Sequence, residues 1–231
     1  GDVPQSLGDV PSLWGTFPSL FSDPGTGWDV PEAWFPAENP GFGHSVQNDL
    51  VVPYLLRHST EEQKKRWLPK ICSGETIGAL AMTEPGGGSD VAAIKTLAKD
   101  MGDHFLVNGS KSFITNGLLA DLVIVACKTD SKAGAHGISL IILERGMEGF
   151  ERGNKLDKIG QFGQDTAELF FKDVKVPKEN LLGEEGKGFY YMMESLPKER
   201  LSIAAGAIAV IEFVKKKSIQ TRYLANFMFS N

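Results

Sequence analysis

The chain has 231 residues, a hydrophobic content of 42% and a formal net charge of −5. This length and apolar content are sufficient for a buried core in one large domain or two small ones, and the negative charge argues against non-specific binding to nucleic acid. Cys72 and Cys127 lie far apart in apolar settings, which predicts reduced core residues. The four histidines have no ligand-like spacing, so no metal site is expected. No apolar run reaches the length of a membrane span.

Two segments precede the predicted sheet. Residues 1–40 carry seven prolines and three tryptophans with no helical or alternating period, which indicates a Pro/Gly-rich arm. Residues 41–75 are predicted to be a helical piece, in which Pro53 kinks the first helix or tightens a turn. Ser59-Thr60-Glu61-Glu62 has the pattern of a capping box, which opens a second helix that Gly74 closes.

Residues 76–183 are predicted to form a central β domain. The dipeptide Asn108-Gly109 favours a two-residue hairpin turn of type I′. Short strands with turn residues between them, and without alternating helices, predict an antiparallel barrel or sandwich instead of a parallel sheet. We expect strands at residues 76–83, 92–98, 104–107, 111–115, 122–127, 138–143 and 167–171.

Residues 184–231 are predicted to be helical again. One helical segment covers residues 188–195, and Pro197 suits the first position of a longer helix that extends to about Lys217 along an apolar stripe. The fold class is therefore α+β: a helical N-terminal piece, a central antiparallel β domain and the first helices of a C-terminal helical domain.

The most informative motif is a glycine-rich loop that follows the first predicted strand, Met82-Thr-Glu-Pro-Gly-Gly-Gly-Ser-Asp90. Pro85 should end the strand because proline cannot donate to a sheet ladder. The glycines permit positive φ and close approach of another molecule, and Thr83 and Ser89 place a hydroxyl on either side of them. The loop suits a flat polar ligand or an acyl chain, although a glycine run of this kind can also simply turn the chain.

Two further segments carry candidate residues. In Ser112-Phe-Ile-Thr-Asn-Gly117, strand alternation places Phe113 and Thr115 on one face, and Phe113 is equally compatible with a plain core position. In Pro197-Lys-Glu-Arg200, the residues by themselves indicate a charged helix start, where Glu199 is favoured by the positive end of the helix dipole.

The glycine-rich loop and its flanks together resemble one known family. Thr-Glu-Pro-Gly-Gly-Gly-Ser-Asp after a strand is similar to the signature loop of the acyl-CoA dehydrogenases, and the likeness extends from about Asn39 to about Val214. It is strongest to the long-chain type of that family. The resemblance implies FAD as the cofactor and a fatty acyl-CoA thioester as the substrate.

The resemblance also implies which residues would contact the flavin. Backbone groups of Met82 and Thr83 would contact the flavin ring, and Ser89 would meet both flavin and substrate. Phe113 stands where the family has an aromatic residue, often tryptophan, that covers the flavin, and Thr115 stands where a hydroxyl bonds near its N5. A flavin needs polar groups at its ring edge and an apolar face beside its reactive nitrogen, which these residue types provide.

A catalytic base is implied by the helix after the β domain. Glu199-Arg200 is similar to the arrangement of the long-chain and isovaleryl types, in which a glutamate on this helix precedes an arginine. Glu199 would remove the α-proton of the acyl-CoA, and Arg200 would position the helix or bind the CoA end. The product would be a trans-2-enoyl-CoA of fatty-acid β-oxidation, with electrons passed to an electron-transfer flavoprotein.

The family further implies a homotetramer in the mitochondrial matrix or the bacterial cytoplasm. Residues 1–40 and those after about Ser218 depart from the family pattern, which continues into more long helices, so the chain resembles a family member that is incomplete at its C-terminus. Two alternatives remain open. One is an acyl-CoA oxidase relative, in which oxygen takes the electrons, and the other is a truncated or spliced non-catalytic form that acts as an interaction or assembly piece.

Overall fold

The computed structural model describes residues 45–229, except for the side chains at 220, 221 and 223–229. The arm predicted at residues 1–40 lies outside this part of the chain. A π-helical turn (Val46–Val51) leads into α1 (Val52–His58) and α2 (Glu61–Ser73), and the chain ends in α3 (Gly188–Phe229). Between them lie β1 (Gly78–Ala81), β2 (Leu97–Asp100), β3 (His104–Thr115), β4 (Leu122–Lys128), β5 (Ile138–Glu144), β6 (Phe150–Lys155), β7 (Thr166–Pro177) and β8 (Leu181–Leu182).

The eight strands within residues 45–229 form one sheet. Their order is β6-β7-β3-β2-β4-β5-β8, and β1 pairs with β4. Neighbouring strands are antiparallel except at two places, the β1–β4 pair and a single bridge between Leu97 of β2 and Lys128 of β4. The predicted helical piece, mainly antiparallel β domain and following helix are therefore confirmed.

Strand β4 is buried on both faces and separates two hydrophobic clusters. Leu122 and Ile124 pack with side chains from α1, α2 and the start of α3. Val123 and Val125 point the other way into a cluster made almost entirely of strand residues. Because both faces are covered, the sequence of β4 is a continuous apolar run without polar alternation.

The start and end of α2 were predicted correctly from its capping residues, although the capping box includes a different residue from the one expected. Thr60 is the N-cap, and its side chain accepts a hydrogen bond from the backbone N–H of Gln63 at 3.2 Å. The side-chain oxygen of Gln63 accepts a hydrogen bond from the backbone N–H of Thr60 at 2.9 Å, so the box closes on Gln63 and not on the glutamates before it. Gly74 ends the helix with φ 79°, and Pro53 stands in the first turn of α1, directly after the π-helical turn.

The predicted Asn108-Gly109 hairpin is wrong, because β3 passes straight through these residues. The Asn108 side chain bonds across to β7, donating to the Asp173 carboxylate at 3.0 Å and accepting from the Asp173 N–H at 2.9 Å. Gly109 has φ 148°, and a Cβ there would lie 2.6 Å from the Thr96 hydroxyl. The pair therefore marks a bulge in a continuous strand, and the hairpin that joins β2 to β3 turns at residues 101–103 instead.

Other strand limits also differ from the prediction. The strand expected at 92–98 is a 3₁₀ turn (Val91–Ala93) followed by β2, and the one expected at 167–171 is the first half of the longer β7. Strand β6 was not predicted because its sequence, Phe-Glu-Arg-Gly-Asn-Lys, lacks an apolar alternation. The two-residue strand β8 is too short to leave a pattern.

Helix α3 runs through Pro197 without a break, so the predicted start of a separate helix there is wrong. Ser195 before the proline and Glu199 after it are both buried, which indicates that packing holds the two parts in one line. From Leu201 to Ile219 every side chain is exposed. Cys127 is buried as expected, but Cys72 is exposed, because it lies on the outer face of α2. No helix within residues 45–229 is long and apolar enough to cross a membrane.

Candidate functional site

The glycine-rich loop begins as a tight turn at the end of β1. The backbone N–H and carbonyl of Glu84 bond to the carbonyl and N–H of Gly87 at 3.0 and 3.1 Å, so Pro85 and Gly86 form its exposed tip. Beyond the turn, Ser89 is exposed to solvent. The loop therefore presents backbone groups and a hydroxyl outward from a fixed base.

A buried ion pair fixes that base. The Glu84 carboxylate accepts hydrogen bonds from Lys111 Nζ at 2.9 Å and from the backbone N–H groups of Lys95 and Thr96 at 2.6 and 2.9 Å. Lys111 is fully buried and Glu84 is 8% exposed. Burial opposes the charge on Glu84, but the bonds from Thr96 and the Lys111 ammonium outweigh it and hold the pKa of the carboxyl below its usual value.

The same lysine joins the loop to β3. Lys111 Nζ also donates to the carbonyl oxygen of Met82 at 2.9 Å, and the backbone N–H of Ser112 donates to the carbonyl of Thr83 at 2.9 Å. The structure therefore brings the predicted residues Met82 and Thr83 against β3, one or two residues before Phe113. Sequence reasoning did not select Lys111, since a lysine in a strand pattern normally faces solvent.

Phe113 projects from the strand as an exposed aromatic residue. Its φ is 60°, and the pairing of β3 with β7 shifts register between Lys111 and Ile114. The side chain is 68% exposed while Ile114 is buried, so the plain core position for Phe113 is excluded. Regular alternation is interrupted at this bulge, so it no longer supports the expectation that Phe113 and Thr115 share a face. A bulky residue at positive φ is uncommon and often marks a functional site.

Glu199 lies between α3 and α1. It is 7% exposed, and the hydroxyl of Tyr54 donates a hydrogen bond to its Oε1 at 3.4 Å. Burial raises the pKa of the Glu199 carboxyl above its ordinary value, although the Tyr54 bond opposes that rise. Arg200 is exposed. Glu199 is therefore a buried acid with one polar neighbour, whereas a glutamate in a mere charged helix start would be solvated.

One hydrophobic cluster connects the loop with the neighbourhood of Glu199. It contains Tyr54 and Met192, and Met82 and Val91 from the two ends of the loop pack against it. The structure thus joins both ends of the loop to the cluster that contains Tyr54, the hydrogen-bond partner of Glu199. Ser89 and Arg200 are both exposed to solvent.

The residues on β3 and directly after β1 fit a flavin. The backbone N–H of Ser112 bonds to the Thr83 carbonyl at 2.9 Å, and the strand that carries Ser112 also carries the exposed aromatic face of Phe113 and the half-buried Thr115. A flat ring system with polar edges requires that combination of an apolar face and edge donors and acceptors.

Comparisons with known proteins identify two domains in this chain. The model of the acyl-CoA dehydrogenase middle domain matches residues 79–174, and that of the acyl-CoA dehydrogenase N-terminal domain matches residues 37–75. The mitochondrial long-chain specific acyl-CoA dehydrogenase of Mus musculus is 51% identical over 185 residues, which are 79% of this chain and 43% of that protein.

Solved structures give the same result. An acyl-CoA dehydrogenase from Geobacillus kaustophilus is 60% identical with a TM-score of 0.69, over 70% of this chain and 43% of that one. Butyryl-CoA dehydrogenase from Megasphaera elsdenii is 44% identical with a TM-score of 0.70, over 73% of this chain and 44% of that one. The chain therefore spans less than half the length of the relatives it matches.

Proposed function

Because the chain belongs to the acyl-CoA dehydrogenase family, whose N-terminal and middle domains it carries, we propose that it takes part in FAD-dependent α,β-dehydrogenation of fatty acyl-CoA thioesters to trans-2-enoyl-CoA. The observation that carries this proposal is Glu199, a buried carboxyl on α3 whose pKa is raised by burial. Its hydrogen-bond partner Tyr54 belongs to the hydrophobic cluster that Met82 of the glycine-rich loop packs against.

Glu199 is the proposed base. Its carboxylate would take the proton from the α-carbon of the thioester, and a carboxyl with a raised pKa in apolar surroundings suits a carbon acid that is only weakly acidic in water. Arg200, one residue further and exposed, would meet the CoA end of the substrate. Ser89 at the outer end of the loop would contact both substrate and cofactor.

FAD, when bound, would supply the hydride acceptor for the β-hydrogen. The residues that would hold FAD lie on β3 and directly after β1. Backbone groups of Met82 and Thr83 would bind the ring edge, the exposed face of Phe113 would cover the ring, and the Thr115 hydroxyl would bond to it. The buried Lys111–Glu84 pair would hold the backbone of Met82 and Thr83 in position.

The remaining parts of the proposal follow from the family. The electron acceptor is an electron-transfer flavoprotein, and the assembled protein is a homotetramer. The compartment is the mitochondrial matrix or the bacterial cytoplasm, since both a mitochondrial and a bacterial acyl-CoA dehydrogenase are similar to the chain.

The test is a visible spectrum of the purified chain with FAD, recorded before and after anaerobic addition of a long-chain acyl-CoA. We expect a retained flavin band that bleaches with substrate. Glu199→Gln should keep the band and lose the bleaching, whereas the matched control Glu194→Gln, on an exposed position of the same helix, should bleach normally. Bleaching by the Glu199→Gln variant would contradict the role of this residue. Oxygen uptake with substrate would instead assign the chain to the oxidase alternative.

The exposed part of α3 favours a second candidate, the non-catalytic assembly piece. Large apolar side chains there are open to solvent, among them Ile203 at 73% and Ile211 at 65%, and a surface of this kind promotes association. For this candidate the same spectrum would show no retained flavin. Sedimentation of the chain would then show a stable oligomer that Ile203→Glu disrupts.

A further inference from the structure

We propose that Tyr54 is a positioning residue for Glu199: its hydroxyl holds the Glu199 carboxylate in one orientation and stabilises the charged form of that carboxylate. The proposal rests on the proposed function, in which Glu199 is the base. It adds a residue of α1, outside the β domain and the glycine-rich loop, to the machinery of proton removal.

The contact between α1 and α3 is held at two points. On α1, Tyr54 and His58 are one helical turn apart, and on α3 Tyr191, Ser195 and Glu199 follow at successive turns, so each set lies on one face. Tyr54 bonds to Glu199 at 3.4 Å, and the rings of His58 and Tyr191 stack with centroids 3.8 Å apart. The stacked rings fix the register of the two helices, which places the tyrosine hydroxyl opposite the carboxyl.

The burial of both side chains increases the effect of this hydrogen bond on the charged form of Glu199. Tyr54 is fully buried and Glu199 nearly so, within a cluster of apolar side chains. In the described part of the chain, Tyr54 is the one hydrogen-bond donor to the Glu199 carboxylate. A hydrogen bond to an ionised group is stronger than one between neutral groups, and low local polarity increases the difference.

Few other groups compete for this role. From α1, Tyr54 is the titratable residue that faces the carboxyl; its pKa is raised by burial and by the Glu199 charge, so the hydroxyl stays protonated and able to donate. Further along the contact, burial lowers the pKa of His58, whose charged neighbours are Glu194 and Arg57. The buried Ser195 hydroxyl lies beside the Tyr54 hydroxyl and lowers the pKa of Tyr54 as a hydrogen-bond donor, so its contribution is the one that the experiment has to separate from that of Tyr54.

The test is Tyr54→Phe in the full chain, with glutamate ¹³C-labelled at the carboxyl carbon. The Glu199 signal is assigned by its loss in Glu199→Gln and titrated by NMR, a measurement that needs neither flavin nor turnover. Without the donor the charged form loses stabilisation, so the titration should move to higher pH. In steady-state assays of the Tyr54→Phe variant, kcat at neutral pH should fall about tenfold and should recover as the pH rises, while KM stays unchanged.

The controls separate this role from general packing. Tyr191→Phe removes a hydroxyl from the same helix contact, one that accepts from the backbone N–H of Glu184 at 3.1 Å, and should leave the titration of Glu199 in place. Ser195→Ala should do the same. An unchanged titration in Tyr54→Phe, or an equal shift in Ser195→Ala, would overturn the proposal.

Two further measurements keep the outcome decisive. If Tyr54→Phe does not fold, replacement of the tyrosines by difluorotyrosine keeps the ring and strengthens the donor, and the Glu199 titration should then move to lower pH. If Glu199→Gln retains full turnover, the proposed function fails, while the NMR titration still decides whether Tyr54 controls Glu199.

Discussion

The buried Lys111–Glu84 pair gives the sharpest prediction about stability. Lys111→Met keeps the length and volume of the side chain but removes its ammonium, which donates to Glu84 and to the carbonyl of Met82. Glu84 would keep two backbone N–H donors but would lose its counter-charge in a site that is 8% exposed. Breaking a buried ion pair from one side costs about 3–5 kcal/mol, and we expect the free energy of unfolding to fall by that amount.

The assay is urea unfolding at neutral pH followed by circular dichroism, with the slope of the transition checked to be unchanged. Lys99→Met, at an exposed position of the neighbouring strand β2, is the matched control and should cost less than about 0.5 kcal/mol. The double variant Lys111→Met/Glu84→Gln should be more stable than the sum of the single losses implies, because no unpaired charge remains. Equal losses in Lys111→Met and Lys99→Met would refute the reasoning.

The same pair predicts a pH dependence. The folded-state pKa of Glu84 is below its ordinary value, so the stability it contributes is present above the unfolded-state pKa of about 4.3. That contribution is lost as the pH falls through the lowered folded-state value. The difference in stability between the unsubstituted chain and Lys111→Met should therefore narrow only in acid.

Three further predictions concern single positions. Glu199→Gln should raise the melting temperature at neutral pH by about 2–4 °C, as expected for ~1 kcal/mol in a chain of this size. The folded-state pKa of Glu199 is raised, so the folded protein favours the protonated acid and the charged form costs stability at neutral pH. The gain in melting temperature should therefore vanish below the ordinary pKa of glutamate, and a gain that persists there would contradict this origin. In urea unfolding, Gly149→Ala should lower the free energy of unfolding by several kcal/mol more than Gly146→Ala does. Both residues have positive φ, but of the two only Gly149 would place a Cβ against a backbone carbonyl of β7. Equal losses of stability would rule out that overlap. Gln63→Ala should lower the free energy of unfolding by about 2–3 kcal/mol. The substitution opens the capping box with Thr60 and removes the amide donor to the carbonyls of Glu179 and Leu181 at 2.6 and 2.9 Å. A loss of stability no larger than that of Thr60→Ala would show that only the cap matters.

Sequence reasoning succeeded where the signal is local. The start of α2 depends on Thr60 and residues within one turn of it, and its end depends on the freedom of Gly74 to take positive φ, so both were predicted. Strand β4 was predicted at nearly its observed length, because its residues form an unbroken apolar run. The likeness of the loop from Met82 to Asp90 to a known family is confirmed by the match to the middle-domain model, which covers residues 79–174.

It failed where a distant partner overrides the local preference. Asn108 and Gly109 favour a tight turn, but the Asn108 side chain has its partner Asp173 on β7, 65 residues away, and that contact exists only in the folded sheet. The pairing of Glu84 with Lys111 spans 27 residues, and no spacing rule connects a loop glutamate with a strand lysine. The roles assigned to Ser89, Phe113 and Glu199 stay predictions until the flavin and titration experiments are made.

The two-sided burial of β4 has a consequence for the order in which the chain is made. Its partner β1 and the helices α1 and α2 precede it in the chain, whereas β5 and β8, which complete the sheet on its other side, follow it together with α3. During synthesis the run Leu-Val-Ile-Val-Ala-Cys therefore leaves the ribosome with one edge still unpaired. A short apolar β-forming segment without charge is prone to pair with other chains in that state. The interval between the emergence of β4 and that of β5 is then the stage at which newly made chains are most exposed to aggregation, and a slower supply of the residues between them should lower the soluble yield.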